Sequence, residues 1–256
     1  MISEGSVLMR FDVLGDISKP AVNLMHGMCQ NSSSIYDKLK MLESCYYLIF
    51  PSMDGFYEGS GEFTSFEDQC KQIEDYVRVN HGGSVYGFYG ISQGTIIGCE
   101  LLARGNISIE KVFFDGTYVA HQGRIAGLGM ARLFIKAKKN GNKLPKAFML
   151  PMKLMGLSED DMVMLNSIYF EASDNCIKRN MAENYTYRAK NSLAGTTARV
   201  TLCCGSREPY AKKSHRILKT LLPDCREIVI RGLGHGQLCM KSPGKLCTLI
   251  KREWDK

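Results

Sequence analysis

Ser92 sits in the middle of Gly90-Ile91-Ser92-Gln93-Gly94, a Gly-x-Ser-x-Gly run. A serine hydroxyl is a poor nucleophile at neutral pH and needs a base, ideally with a pKa near 7, to take its proton. His235, in Gly234-His235-Gly236, is of the right type, and its glycine-flanked loop lets a ring swing over a neighbouring hydroxyl. An imidazole in that role needs a carboxylate on its other nitrogen, to fix the tautomer and stabilise the cation. Two carboxylates follow apolar, strand-like runs: Glu208, in Gly205-Ser206-Arg207-Glu208-Pro209, and Asp115, in Phe113-Phe114-Asp115-Gly116. Glu208 is the expected acid and Asp115 its rival. Such a set would carry out acyl transfer, with backbone N–H groups needed to hold the oxyanion.

The surrounding residues are those that would place these groups. Val85, Tyr86, Phe88 and Tyr89 are strand formers, and Ile96, Ile97, Leu101 and Leu102 continue at helical spacing. The serine thus falls on a sharp strand-to-helix turn, where side chains at positions two before and two after would collide with the strand or the helix. The N–H of Gln93 is then free to face an oxyanion at a helix N-terminus. Ala21–Met25 reads as a strand running into His26-Gly27-Met28, Val200–Cys204 as one ending at Gly205, and Glu227–Ile230 as the last, ending before the His235 loop. The other histidines read differently: His81 and His215 as solvated residues in or beside helices, His121 as part of the 117–198 segment, and His26 as a turn residue.

Strand and helix patterns alternate from residue 20 to the end, except between 117 and 198. The fold class expected is α/β, a mostly parallel central sheet with helices on both faces. Along the way, Thr64 and Glu67 read as a capping box opening a helix that closes at His81-Gly82-Gly83, Pro51 as the stop of a strand from Tyr46 to Phe50, and Gln237 to Lys251 as one closing helix.

The order Ser92, Glu208, His235, with the elbow and the terminal Gly-His-Gly, resembles the α/β-hydrolase superfamily, and the resemblance covers essentially the whole chain. It implies a core of residues 1–116 and 199–256 with a helical cap or lid at 117–198. It implies that Met28 and Gln93 supply the oxyanion N–H groups, and it makes Gly27 and Tyr118 the candidate substrate-contacting residues. The acid is glutamate where aspartate is commoner, and Thr95 follows Gly94 where a second glycine is common. The expected activity is serine-dependent cleavage of a carboxylic ester of a small to medium, partly apolar substrate. Thioesterase, lysophospholipase or peptidase activity on the same groups, a lyase, and a non-catalytic small-molecule receptor of the same fold are the alternatives. No metal or cofactor is implied.

At 256 residues, 45% hydrophobic and 23% charged, the chain is long enough to bury a substantial core and ordinary for a globular protein. No apolar run is long enough to span a bilayer, and nothing at the N-terminus reads as a signal peptide, so a cytoplasmic location is expected. The ten cysteines show no Cys-x-x-Cys spacing and read as free, mostly buried small hydrophobes. The net charge of +7 is concentrated in the insertion, and Arg124 to Lys153 carries eight basic residues and no acidic one. That face could draw an anionic acyl substrate or make weak contact with an acidic membrane surface; no nucleic-acid motif accompanies it. Within the insertion, Met130, Leu133, Phe134 and Ala137 share a helical face, and Phe148, Met149, Met152, Met155, Met162, Met164, Leu165, Tyr169 and Phe170 suggest an apolar acyl pocket against the sheet. Either a monomer or a homodimer is compatible with the sequence.

Overall fold

The structure is a computed structural model that describes residues 9–140 and 172–256. The methionine- and aromatic-rich run from Phe148 to Phe170, on which the acyl-pocket expectation rests, lies outside the described residues, as do Lys143, Lys146 and Lys153.

Among the described residues seven strands form one sheet: β1 (Arg10–Leu14), β2 (Ala21–Met25), β3 (Tyr47–Ser52), β4 (Ser84–Ile91), β5 (Ser108–Asp115), β6 (Arg199–Gly205) and β7 (Arg226–Ile230). Their spatial order is β1-β3-β2-β4-β5-β6-β7, with β1 antiparallel to β3 and every other pair parallel. Parallel neighbours need crossovers, and helices supply them: α1 (Ser33–Leu39), α2 (Phe66–His81), α3 (Gly94–Arg104), α4 (Arg124–Lys139), α5 (Asp174–Thr186) and α6 (Pro209–Leu221), with α7 (Gln237–Lys241) and α8 (Pro243–Trp254) following the last strand. Alternate residues of each strand face opposite layers, so the core divides in two. Met25, Ile49, Phe88, Val112, Phe114 and Leu202 pack with α2 and α3, while Leu24, Phe50, Tyr89, Phe113 and Cys203 pack with α1, α7 and α8. The fold class is therefore the one the alternation implies.

Several local expectations shift. The cap of α2 is Ser65, whose hydroxyl accepts from the Asp68 N–H at 3.1 Å, one residue along from the expected Thr64–Glu67 box. Gly82 does close that helix in the left-handed region, at φ 60°. Pro51 does not stop β3: the ladder with β2 runs only to Asn23 opposite Ile49, and Pro51 lies past it, opposite Phe11 of the edge strand. The closing helix is two helices, because Pro243 cannot continue α7 and instead opens α8. Eight of the ten cysteines are buried and all are free, which fits their use as small apolar side chains.

The helical insertion leaves after β5 and returns at β6. In α4 the buried stripe is Gly127, Ala131, Phe134, Ile135 and Ala137, with Met130 and Leu133 half-buried at its margin. The stripe is displaced because α4 packs on α5 through Gly127: a β-carbon there would stand 2.8 Å from the Met181 carbonyl and 2.9 Å from Tyr185 Cβ. Helix α5 is docked onto the core at two further points and onto the start of the insertion at a third. The Phe66 N–H donates to Glu183 at 2.6 Å, the Phe63 N–H to Cys176 Sγ at 3.1 Å, and the Gln122 and Gly123 N–H groups to the Tyr185 carbonyl at 2.9 and 3.0 Å. No helix among the described residues is long and apolar enough to cross a membrane.

Candidate active site

Strand β4 ends at Ile91 and α3 begins at Gly94, so Ser92 and Gln93 must turn the chain almost within one residue. Ser92 does so in the left-handed region, at φ 54°, a conformation that costs an ordinary L-residue about 1–2 kcal/mol. The Asp115 carbonyl, at the end of neighbouring β5, accepts the Ser92 N–H at 2.8 Å and holds the turn. The flanking glycines are demanded by space. A β-carbon on Gly90 would lie 2.5 Å from the Gly94 carbonyl oxygen, and one on Gly94 would lie 2.6 and 2.7 Å from the carbonyl oxygens of Met25 and His26. The collisions are thus with the turn itself and with the exit of β2.

The exits of β6 and β7 bring the other two groups over this turn. His235 Nε2 lies 2.9 Å from Ser92 Oγ, and His235 Nδ1 lies 2.7 Å from Glu208 Oε2. The second oxygen of Glu208 accepts the Gly205 N–H at 2.5 Å, which fixes the carboxylate on the end of β6. Glu208 is buried, at 4% exposure, and both of its oxygens are engaged. With Nδ1–H donating to Glu208, Nε2 is left as an acceptor for the serine proton. Burial disfavours a charged His235 ring, but the Glu208 bond and charge, with Asp115 adding to them, outweigh it, and the pKa stands above its ordinary value.

Asp115 is close enough to matter electrostatically but has another partner. It is fully buried and accepts from the Tyr89 hydroxyl at 3.1 Å. Burial, reinforced by the Glu208 charge and opposed by the Tyr89 bond and by His235, raises its pKa to about 7. Of the two candidate acids, Glu208 is the one hydrogen-bonded to the ring. Asp224 lies in the loop before β7, at the opposite end of the sheet.

The turn after β2 approaches from the other side. A β-carbon on Gly27 would stand 3.7 Å from Ser92 Cβ and 3.0 Å from Gln30 Oε1, so this turn lies directly against the serine. His26 is buried and shapes it: Nε2 accepts the Met53 N–H at 3.1 Å and Nδ1 lies 2.8 Å from the Gly27 carbonyl. Burial lowers its pKa to about 4, so it stays neutral, as a turn residue should. Met28 follows, half-buried, and Cys29 then takes a left-handed φ of 52° that turns the chain away. Tyr118 lies beside the triad-like set: its ring is 6.2 Å from that of His235, 4.4 Å from Tyr210 and 6.3 Å from Tyr185. Burial raises its phenol pKa, against the bonds to Gln122 and Tyr185.

Other features carry no clear mark in the sequence. Thr95, the departure from a second glycine, is fully buried and donates to the Ser92 carbonyl at 2.6 Å while accepting the Tyr118 N–H at 3.0 Å. It ties the elbow to the start of the insertion. The Gln93 side chain points into α5, where it meets Asn180 and Asn184. Gly116, at φ 62°, leaves room for the imidazole, since a β-carbon there would be 3.0 Å from His235 Nδ1 and from Glu208 Oε2. His215, expected to be solvated, is instead fully buried, with Nδ1 2.9 Å from Glu227 on the adjacent β7. His81 is half-buried against Tyr47 and Tyr76. Both sit on a helix and are covered by residues of a neighbouring strand, Glu227 for His215 and Tyr47 for His81. No group of three or more His, Cys, Asp or Glu side chains among the described residues could hold a metal ion.

No protein-family model matches the sequence, and no curated protein matches it. Solved structures do match. An α/β-hydrolase family protein from Desulfitobacterium hafniense superposes with a TM-score of 0.80 at 22% identity, over 95% of this chain and 99% of that one. A carboxylesterase from the thaumarchaeon Nitrososphaera gargenis gives 0.74 at 15%, over 95% and 93%. MenH from S. aureus gives 0.77 at 13%, over 96% and 99%. At these identities the likeness is one of fold: the chain has the α/β-hydrolase fold over nearly its whole length.

Proposed function

We propose that this chain, an α/β-hydrolase by fold, is a serine hydrolase that cleaves a carboxylic ester of a small to medium, partly apolar substrate. The observation that carries the reading is the continuous line of hydrogen bonds from Ser92 Oγ through both nitrogens of His235 to Glu208. In this reading Ser92 attacks the acyl carbonyl as Nε2 of His235 takes its proton. Glu208, pinned by the Gly205 N–H, keeps Nδ1 protonated and stabilises the imidazolium that forms. The N–H groups of Gln93 and Met28 receive the developing oxyanion, His235 passes its proton to the leaving alcohol, and water releases the acyl group by the same steps. Gly27 and Tyr118 border the space the substrate would occupy, Gly27 against the serine and Tyr118 against the imidazole. Residues 117–198 act as a cap over the core of 1–116 and 199–256. Ten free cysteines suit a reducing compartment, and a cytoplasmic location is part of the proposal.

A fluorophosphonate probe and a panel of p-nitrophenyl esters of graded chain length test it. Labelling at Ser92 with turnover is expected, and Ser92→Ala or His235→Ala should lower kcat by about a millionfold. Turnover that survives Ser92→Ala would refute the reading, and labelling without turnover of any ester would point to a receptor instead.

A further inference from the structure

The insertion helix α5 buries two asparagines, Asn180 and Asn184, one turn apart on the face that meets the core. Asn180 is fully buried and makes a cyclic amide pair with Gln93: Gln93 Nε2 donates to Asn180 Oδ1 at 2.8 Å, and Asn180 Nδ2 donates back to Gln93 Oε1 at 3.2 Å. The same Oδ1 lies 3.6 Å from the Cys29 thiol. That thiol is buried, and burial raises its pKa well beyond its ordinary value, so it is present as a neutral S–H donor. Asn184 adds a single contact, accepting from Gln93 Nε2 at 3.2 Å.

These two partners of Asn180 have one thing in common. Gln93 carries one of the N–H groups assigned above to the oxyanion, and Cys29 immediately follows Met28, which carries the other. The two lie on separate loops, after β4 and after β2 respectively. Neither loop is regular: Cys29 and Ser92 are the non-glycine residues with positive φ among the described residues. Helix α5 does not need the asparagine to stay in place, since Glu183 and Cys176 already bond it to the core. A buried amide is costly unless bonded, and Asn180 engages its oxygen and its nitrogen with Gln93 and brings the same oxygen to Cys29. Its partners therefore indicate its use.

We infer that Asn180 is a positioning residue, through which the insertion holds the two oxyanion-donating loops in register. The inference rests on the proposed acyl transfer. A tetrahedral oxyanion needs both donors about 2.7–3.1 Å away, and loss of one costs roughly a hundred- to a thousandfold. Loosening both by a few tenths of an ångström costs less than that but acts on the transition state alone.

The test compares Asn180→Leu, Asn184→Leu and wild type in ester hydrolysis and in affinity for an aryl boronic acid, which forms a tetrahedral adduct with the serine. For Asn180→Leu, kcat and boronate affinity should fall together, by about 10- to 100-fold, with KM and the acid limb of the pH profile unmoved. Asn184→Leu, which loses no contact to Cys29, should fall by less than about threefold. A kcat within twofold of wild type for Asn180→Leu, or a change confined to KM, overturns the inference. Thermal melts show whether the leucine variant folds. If it does not, Asn180→Ser should show the same paired fall, at about 5- to 20-fold, and unchanged values there overturn the inference equally. Wild-type protein without Ser92-dependent turnover would instead overturn the underlying acyl-transfer reading, and this inference with it.

Discussion

Replacing Gly116 by alanine separates two effects that usually come together. Gly116 has φ 62°, so a side chain there carries the left-handed penalty, about 1–2 kcal/mol. Its β-carbon would also stand 3.0 Å from Nδ1 and Cε1 of His235 and from Glu208 Oε2, against the bond between them. Gly105, at the end of α3, has the same φ of 62°, and a β-carbon added to it would have nothing within 4 Å, so it is a matched control. Both variants should lose about 1–2 kcal/mol in denaturant unfolding, with Gly116→Ala the lower of the two. Only Gly116→Ala should lose activity. Relief of a 3.0 Å contact moves the ring or the carboxylate by a few tenths of an ångström. A misplacement of about 1 Å costs about a hundredfold, so kcat/KM for a p-nitrophenyl ester should fall by roughly 5- to 50-fold. If Gly105→Ala and Gly116→Ala are equally active, the carboxylate–imidazole bond does not set the rate and the reasoning fails.

Glu208→Gln preserves shape but offers the ring the wrong partner for its tautomer, and kcat should fall by about 10⁴ while Ser92 still labels slowly; a fall under about tenfold would return the role of acid to Asp115. Asp115→Asn tests the second carboxyl by pH. The Asp115 charge helps raise the His235 pKa, so removing it should move the acid limb of kcat/KM to lower pH, and a shift to higher pH would contradict the assignment. In the wild type Asp115 itself titrates at about 7, so that limb should be broader than a single ionisation. The basic insertion helix predicts that the ratio of kcat/KM for an anionic over a neutral ester of equal chain length exceeds one and falls with salt. Equal ratios at low and high salt would remove that role from Arg124, Arg132 and Lys136, the exposed cations of α4 that are not bonded to Ala172 or Asp174.

The sheet and the triad-like set are readable in the sequence because their signals are local. A strand followed within three residues by a helix leaves little choice of geometry, and Gly90 and Gly94 mark it. The choice between Asp115 and Glu208 is not local. Both follow parallel strands, and what separates them is which carboxylate reaches the ring: Asp115 is drawn back to the Tyr89 hydroxyl, while the longer Glu208 spans from the Gly205 N–H to His235. Helix faces are the weaker reading. His215 and the Asn180–Asn184 pair are polar residues at helical spacing, a pattern that normally marks solvent. They are buried because partners on other elements, Glu227 of β7 for the first and Gln93 for the second, meet them there. A polar pair interrupting Cys176, Ile177, Met181 and Tyr185 is the available signal, since those apolar residues fix that face as the inner one.

The glycines at the strand ends explain why the arrangement is narrow in what it tolerates. Gly94 lets α3 start against the carbonyls of Met25 and His26, Gly116 leaves room beside the imidazole and Glu208, and Gly205 lies where a β-carbon would be 2.2 Å from the Leu233 carbonyl oxygen and 3.1 Å from Glu208. Each therefore permits one loop to pass close to another, and together they bring the exits of β2, β4, β5, β6 and β7 to one point. A side chain at any of them would press on backbone or, at Gly116 and Gly205, also on Glu208 or His235, rather than enter solvent. The same crowding accounts for the insertion's part in the site. Once five loops converge, the remaining open side of Gln93 faces α5, and its amide must find a partner there or remain buried without one. Asn180 meets that need, so helix α5 completes the polar surroundings of the elbow.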